Sequence, residues 1–284
     1  MSTLLLSKNK REYSSISVPS TPTPPARSPC PVLNSLANGG YINPSGRDIS
    51  FLALVRALMH VYNLSLPLSL FLTLGAFYTV GTLRLAPFSW TVDLDRLQEV
   101  QVPGGKVRIA HAFSLARLDP VSARKEGAGP NIRTEYIVPA PTDTKRVLHW
   151  ISFRSPEPNG GLSINSMARA RLSVERTPSD PHAAAPAPLD KLHDELARGE
   201  AGLTWFVMKD PKTNEVPVQR LLQWFGVSRR ADTGELVQTG SGERLPDGWW
   251  DEVRPKKAIG LLQARGFSQD VKKEMERLRQ EGEQ

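Results

Sequence analysis

Cysteine is almost missing from this chain. Cys30 is the single one in 284 residues, so no internal disulfide can form and the fold has to rest on its core. Such usage agrees with a reducing compartment. Histidine is also scarce, and the five present do not fall at metal-ligand spacing; no Cys-x-x-Cys knuckle accompanies them. Also absent are a Gly-x-Ser-x-Gly elbow, a glycine-rich phosphate loop and a dinucleotide fingerprint. Serine-hydrolase, nucleotide and nicotinamide or flavin chemistry therefore has no anchor here. Lys and Arg number 36 against 29 acids, for a net charge of +7, but they are scattered and form no basic stripe interleaved with aromatics. The balance reads as solubility, with no nucleic-acid partner. Near the start, the brief Leu4–Leu6 run is broken by Lys8 and Lys10, too short for the apolar core of a signal peptide. The expectation is an intracellular protein.

What is present begins at Ser28-Pro-Cys-Pro-Val-Leu-Asn-Ser-Leu-Ala-Asn-Gly-Gly-Tyr41. Leu33, Leu36 and Ala37 share one helical face, which puts Cys30 at a helix entrance. Pro31 suits the first helical position, where its missing N–H is not needed. The amides of Val32 to Asn34 have no intrahelical acceptor, and with the positive end of the helix dipole they favour a thiolate on the cap. A thiolate so stabilised is suited to metal ligation. The plain alternative is a spare thiol at the edge of a Pro-rich arm.

Length and an apolar content of 39% predict one domain over residues 26–267, between a polar, Pro-rich arm at 1–25 and a charged tail at 268–284. Asn43-Pro-Ser-Gly-Arg is a turn, and Asp48 or Ser50 can cap a helix running to about Tyr62. Val61 to Leu83 carries no charge, long enough to span a membrane yet interrupted by Pro67 and Gly75; a buried core helix reads the same way. Asn63-Leu-Ser65 is a glycosylation sequon in form only. Residues 120–160 read as an irregular insertion in which Trp150 and Phe153 pack or line a channel. Leu162–Thr177 predicts a helix with Arg169, Arg171 and Arg176 toward water, and the Ala/Pro run at 181–188 a linker. In Leu189–Val207, the residues Leu192, Leu196, Leu203 and Val207 mark an apolar stripe that includes Glu200. A carboxyl on an inward face is suited to taking and returning a proton. Its alternative is a stripe-edge glutamate reaching water, and Glu195 is a second candidate acid. Pro255–Ala264 predicts a last core helix, and the charged tail from Asp270 is helical in propensity and expected to be exposed.

Several of these segments resemble, in order, the haem-thiolate peroxidases of fungi, the chloroperoxidase and unspecific peroxygenase family. Pro29-Cys30-Pro31 with Leu-Asn-x-Leu-Ala-Asn and Gly-Tyr is similar to its iron-ligand motif, with Gly39 where the family has histidine. Val92-Asp-Leu-Asp-Arg-Leu and Ile109-Ala-His-Ala-Phe-Ser-Leu-Ala-Arg117 resemble its Asp-Leu-Asp and Glu-His-Asp segments, with Ala110 and Ala112 in place of the two acids. Arg198-Gly-Glu-Ala-Gly-Leu resembles its Gly-Glu-Ala-Ala segment. His193, seven before Glu200, points to the shorter branch. Asp210-Pro-Lys-Thr-Asn and Glu243-Arg-Leu-Pro-x-Gly-Trp249 match further turns.

The resemblance implies an all-α haem-thiolate peroxidase domain with irregular loops and haem b as cofactor. Cys30 would be the axial iron ligand, with Pro29, Pro31, Ala37, Asn38 and Ser114 around the cofactor. Glu200 would be the acid–base residue and His111 would orient it. Hydrogen peroxide and a small organic molecule would be the substrates. A second divalent cation, held in relatives with help from a glutamate, loses its carboxylate to Ala110. Two other classes stay open: a haem-binding relative without turnover, and a membrane-associated helical protein with an incidental cysteine.

Overall fold

Helix starts and stops follow local chemistry. The computed structural model describes residues 24–85, 88–102, 122–126, 133–137, 142, 144–157, 159–176 and 191–282. Helix α1, Pro31–Asn38, has Cys30 as N-cap in extended conformation and a proline at its first position. Helix α2, Phe51–Tyr62, is capped by Ser50, whose hydroxyl accepts from the Ala53 amide at 3.3 Å. It stops at Asn63, which adopts the left-handed region at φ 52°. The Asn63 side-chain Nδ2 donates to the Pro255 carbonyl at 2.7 Å, so the sequon asparagine ties two chain segments together.

The uncharged run from Val61 to Leu83 is not one rod. It holds the end of α2, the Asn63 break, helix α3 at Leu66–Val80 capped by Ser65, and Gly81. Among the described residues no helix is long and apolar enough to cross a membrane. Gly81 then gives way to the hairpin of β2 (Thr82–Leu85) and β3 (Phe88–Val92), with the two-residue strand β1 (Ile49–Ser50) on the other side of β3. Phe51, Phe77 and Trp90 seal this corner: Trp90 stacks on Phe51 at 5.4 Å and meets Phe77 edge-on at 5.1 Å.

Residues 120–160 correct the expectation of an irregular insertion. After a 3-10 turn at Leu94–Gln98, β4 (Glu99–Val102), β5 (Ser122–Glu126) and β6 (Arg133–Ile137) form an antiparallel ribbon with β6 central. Helix α4, Thr144–Ser152, follows with Trp150 fully buried, so that side chain belongs to the core.

Helix α5, Ile164–Arg176, forms where expected, but Arg171 is a correction, being only 1% exposed. Its neighbours Met167, Ala168 and Ala170 are all buried, because this helix is covered on both flanks by α6 and α8. Helix α6 runs Lys191–Met208, α7 Val218–Trp224, and β7 (Val227–Arg229) pairs with β8 (Leu236–Gln238). Between α6 and α7, Asn214 takes φ 59° at the turn position where the resembled family has glycine.

The end of the chain departs most from expectation. No helix spans Pro255–Ala264; a π turn at Trp249–Val253 leads into extended chain, and α8 runs Leu261–Gln280. The predicted exposed tail is the second half of α8. Val271, Met275 and Leu278, at spacings of four and three, are buried in the common core against α5 and α6. The exposed charges of this segment lie off that face, and on its flank Arg277 bridges Glu281 and Glu274, the latter also accepting from Asn165 on α5. Among the described residues the architecture is mainly helical, an all-α domain with three short antiparallel ribbons.

Candidate active site

The segment around Cys30 is held from below by buried polar groups. Ser28, Asn34 and Ser35 are fully buried, and Pro29, Pro31 and Ala37 are buried with them, while Cys30 stays half-buried. The Asn34 carboxamide ties the loop to itself: its Nδ2 donates to the Ser28 carbonyl at 2.8 Å and its Oδ1 accepts from the Ser28 amide at 2.9 Å. The Ser28 hydroxyl in turn accepts from the Cys30 amide at 3.1 Å. Asn34 Nδ2 also donates to Glu243 Oε1 at 3.1 Å, and Asn38 Nδ2 to the Glu243 carbonyl at 2.8 Å. Thr142 adds a longer contact to the same carboxylate at 3.4 Å. Arg27 completes the clamp by donating twice to Asn38 Oδ1, at 3.0 and 2.6 Å. Burial pushes the Arg27 guanidinium below its ordinary pKa, and the charge of Glu243 works in the opposite direction.

These contacts explain two motifs at once. The asparagines four apart in α1 lie on one face and both reach Glu243, the first residue of the Glu-Arg-Leu-Pro-x-Gly-Trp element. Trp249, its last residue, donates to the Val61 carbonyl at 3.0 Å and packs edge-on against Tyr62. The Tyr62 hydroxyl then contacts Ser35 Oγ at 2.6 Å and accepts from Trp224 at 3.3 Å. Sequence reading missed Asn34, Glu243 and Arg27 as supports of the cysteine loop. Their signal was present only as recurring motif positions, since partners more than two hundred residues apart leave no periodicity to read.

Gly39, in the place of the family's histidine, is not there for its backbone, whose φ is −84°. A Cβ at this position would meet the Tyr41 ring at 2.6 Å, so Tyr41 fills that space; its ring also approaches His60 and Trp250.

On α6 the packed row is Ala197, Ala201, Thr204, Trp205 and Met208, one position round from the expected stripe, of which Val207 is buried with them. The cause is the neighbour: a Cβ on Gly202 would lie 2.7 Å from the Phe267 carbonyl, so α8 approaches where residues are smallest. Leu196, Glu200 and Leu203 are left half-buried along the edge of that contact. Leu203, Phe206 and Cys30 all pack against the same core from partly open positions. Glu195, the second candidate acid, is engaged elsewhere, pairing with Arg265 at 3.2 Å near the surface.

His111 and Ser114, with Ala110 and Ala112, lie outside the described residues. Among the described residues no three His, Cys, Asp or Glu side chains assemble to hold a bare metal ion. The donor set offered at α1 is a single soft sulfur, which suits a metal whose other ligands come with it, as in a porphyrin.

Comparison with curated proteins returns no match. Comparison with family models matches residues 18–254 to the family described as "Peroxidase, family 2". That span takes in the cysteine loop, α6 and the Glu243–Trp249 element. The chain belongs to peroxidase family 2, the chloroperoxidase family, and is an oxidoreductase that acts with peroxide.

Proposed function

We propose that this chain is a haem-thiolate peroxidase or peroxygenase in which Cys30 would hold the iron of haem b and Glu200 would be the acid–base residue. Its substrate would be a small organic molecule, with hydrogen peroxide as oxidant. The observation that supports this best is the build of the cysteine loop. The only thiol in the chain caps a helix, half-open, on a bed of fully buried hydrogen bonds. A rigid loop presenting one soft donor is what an iron already held by four ring nitrogens requires.

When bound, haem supplies the redox chemistry that splits the peroxide O–O bond, and an anionic sulfur ligand favours that cleavage. The chain's part is to hold and move charge. The dipole of α1 would stabilise the Cys30 thiolate, whose side chain makes no capping hydrogen bond in the structure. Pro29 and Pro31 restrict the backbone on either side of the sulfur, and Ala37 and Asn38 continue the face of α1 next to it. The Glu200 carboxylate accepts a proton from hydrogen peroxide and returns it to the departing oxygen, releasing water. Half-burial on α6, on the side shared with Leu196 and Leu203, suits a group that trades protons. We assign His111 to orienting Glu200 and Ser114 to contacting the cofactor. No second cation is proposed, since Ala110 and Ala112 supply no oxygen donors.

The test is the absorption spectrum of haem-supplied protein after reduction under carbon monoxide. A thiolate ligand places that band far to the red of a histidine ligand's, and Cys30→Ala is expected to abolish it. Glu200→Gln is expected to keep the band while lowering peroxide-dependent oxidation by about 10²–10⁴-fold. A band unchanged in Cys30→Ala would overturn the ligand assignment. A thiolate band without peroxide turnover in the wild-type chain would mark a haem-binding protein that has lost its activity.

A further inference from the structure

Exposed apolar surface is concentrated on α3 and the hairpin β2–β3. Among the described residues, seven of the twelve large apolar side chains left open to solvent fall between Leu66 and Phe88. On α3, Pro67, Phe71, Leu74 and Tyr78 recur at spacings of four, three and four, turned away from the buried row of Ser69, Thr73 and Phe77. In the hairpin, the register pairs Leu83 with Trp90 and Leu85 with Phe88, which places these four on one face. Trp90 is anchored at the base of that face by Phe51 and Phe77. The tip beyond it is bare: Leu85 is 79% and Phe88 76% exposed, and Tyr78 on the helix is 89% exposed. A monomeric protein seldom leaves such a cluster facing water.

Charge decides what covers it. From Asp48 to Asp93 there is no intervening Asp or Glu, while Arg56, His60 and Arg84 are present. Arg84 is exposed on the hairpin between Leu83 and Leu85, and Arg96 reaches its base, donating to Thr82 Oγ1 at 2.8 Å. The nearest carboxylates beyond, Asp93 and Asp95, are turned to Arg47, at 3.9 and 2.8 Å. The stripe on α3 offers no hydrogen-bonding side chain apart from Tyr78. Among the described residues, an apolar face with Arg84 exposed on the reverse of the same hairpin, and with the adjacent carboxylates engaged by Arg47, complements an anionic bilayer surface. A second copy related by a twofold axis would instead bring two arginine-bearing hairpins together. At roughly 1.5 Å per residue, α3 reaches about 22 Å, short of the ~30 Å hydrocarbon core, so it can lie in the interface but not span it.

We propose that the α3–hairpin face docks this chain on an anionic phospholipid bilayer. Phe71, Leu74, Tyr78, Leu85 and Phe88 enter the boundary between headgroups and acyl chains, and Arg84 meets lipid phosphates. The docking stands apart from the haem assignment, and its test needs no cofactor.

The full chain is sedimented with sucrose-loaded vesicles of phosphatidylcholine, with and without phosphatidylserine. Binding is expected to be at least about tenfold tighter with phosphatidylserine, and to weaken as salt rises. Leu85→Ser/Phe88→Ser and Phe71→Ser/Leu74→Ser, both at exposed positions, should each weaken it by about tenfold or more with the thermal melt unchanged. Arg84→Gln should weaken it by about fivefold on phosphatidylserine vesicles alone. Failure of the wild-type chain to bind either vesicle overturns the proposal, as does wild-type binding by both paired variants. Self-association that Leu85→Ser/Phe88→Ser abolishes, with vesicles ignored, would show that a second copy covers the face and overturns it equally.

Discussion

Replacing Asn34 by alanine tests whether the cysteine loop is held as described. The change removes four hydrogen bonds of 2.8, 2.9, 3.1 and 3.3 Å from a site with no exposure. It strips the Ser28 amide and carbonyl of their side-chain partner and takes one donor from the Glu243 carboxylate. Each buried group so deprived costs about 1–3 kcal/mol, and partial collapse or entry of water recovers some of that, for a net loss of about 3–5 kcal/mol. Against a total stability of roughly 5–15 kcal/mol that is a large share. Because Cys30 is the only thiol, the loop also has a private reporter. If about 3 kcal/mol of the loss is local, the open loop becomes some hundredfold more populated and labelling of native protein by a thiol reagent speeds up to match. Urea unfolding followed by circular dichroism gives the first quantity, and labelling in the absence of urea gives the second. Asn38→Ala, at a half-exposed position, should cost only about 1 kcal/mol. A stability loss below about 1 kcal/mol in Asn34→Ala, with labelling at the wild-type rate, would refute the account of the loop.

Two further changes probe the helical core. Gly202→Ala would press a methyl group against the Phe267 backbone at 2.7 Å, whereas Gly266→Ala, on the open side of α8, meets nothing within 4 Å. The first should lower the thermal midpoint, its strain of about 1–3 kcal/mol outweighing the helix gain, and the second should raise it through a stabilisation of about 1 kcal/mol; equal shifts would contradict the close approach of α6 and α8. Glu274 is held below its usual pKa chiefly by the hydrogen bond from Asn165 on α5, with Arg277 adding to it. A depressed carboxylate binds fewer protons folded than unfolded, so its stabilisation is present at neutral pH and fades as pH falls through the folded value. Glu274→Gln should therefore flatten the loss of stability on going from about pH 6 to about pH 3, measured as urea midpoints. An unchanged pH slope would show that this link between α5 and α8 carries no charge-dependent part.

How much was legible in the sequence differed from one segment to the next. Helix α1 with Cys30 at its cap, and α2 with Ser50 at its start and a stop after Tyr62, were readable because caps, proline and short-range periodicity act within a few residues. The position of α6 was readable for the same reason, but not its packed row. Leucines announce a stripe by hydrophobicity, whereas here glycine and alanine mark the contact because α8 needs room more than apolar area. Arg171 and the second half of α8 were misplaced alike, since Arg, Lys and Glu say nothing of a neighbouring helix that covers the residues between them.

The chain's local chemistry by itself determined where helices begin and end, that one thiol stands at a helix start, and the order of motifs that marks the peroxidase family. Only the tertiary structure decided that Glu243 supports Asn34 and Asn38, that α8 completes the core, and that α3 keeps an apolar stripe open to its surroundings. Caps and turns are settled by atoms a few residues apart. Burial and long-range hydrogen bonds are settled by which elements happen to meet, and that is a property of the assembled core.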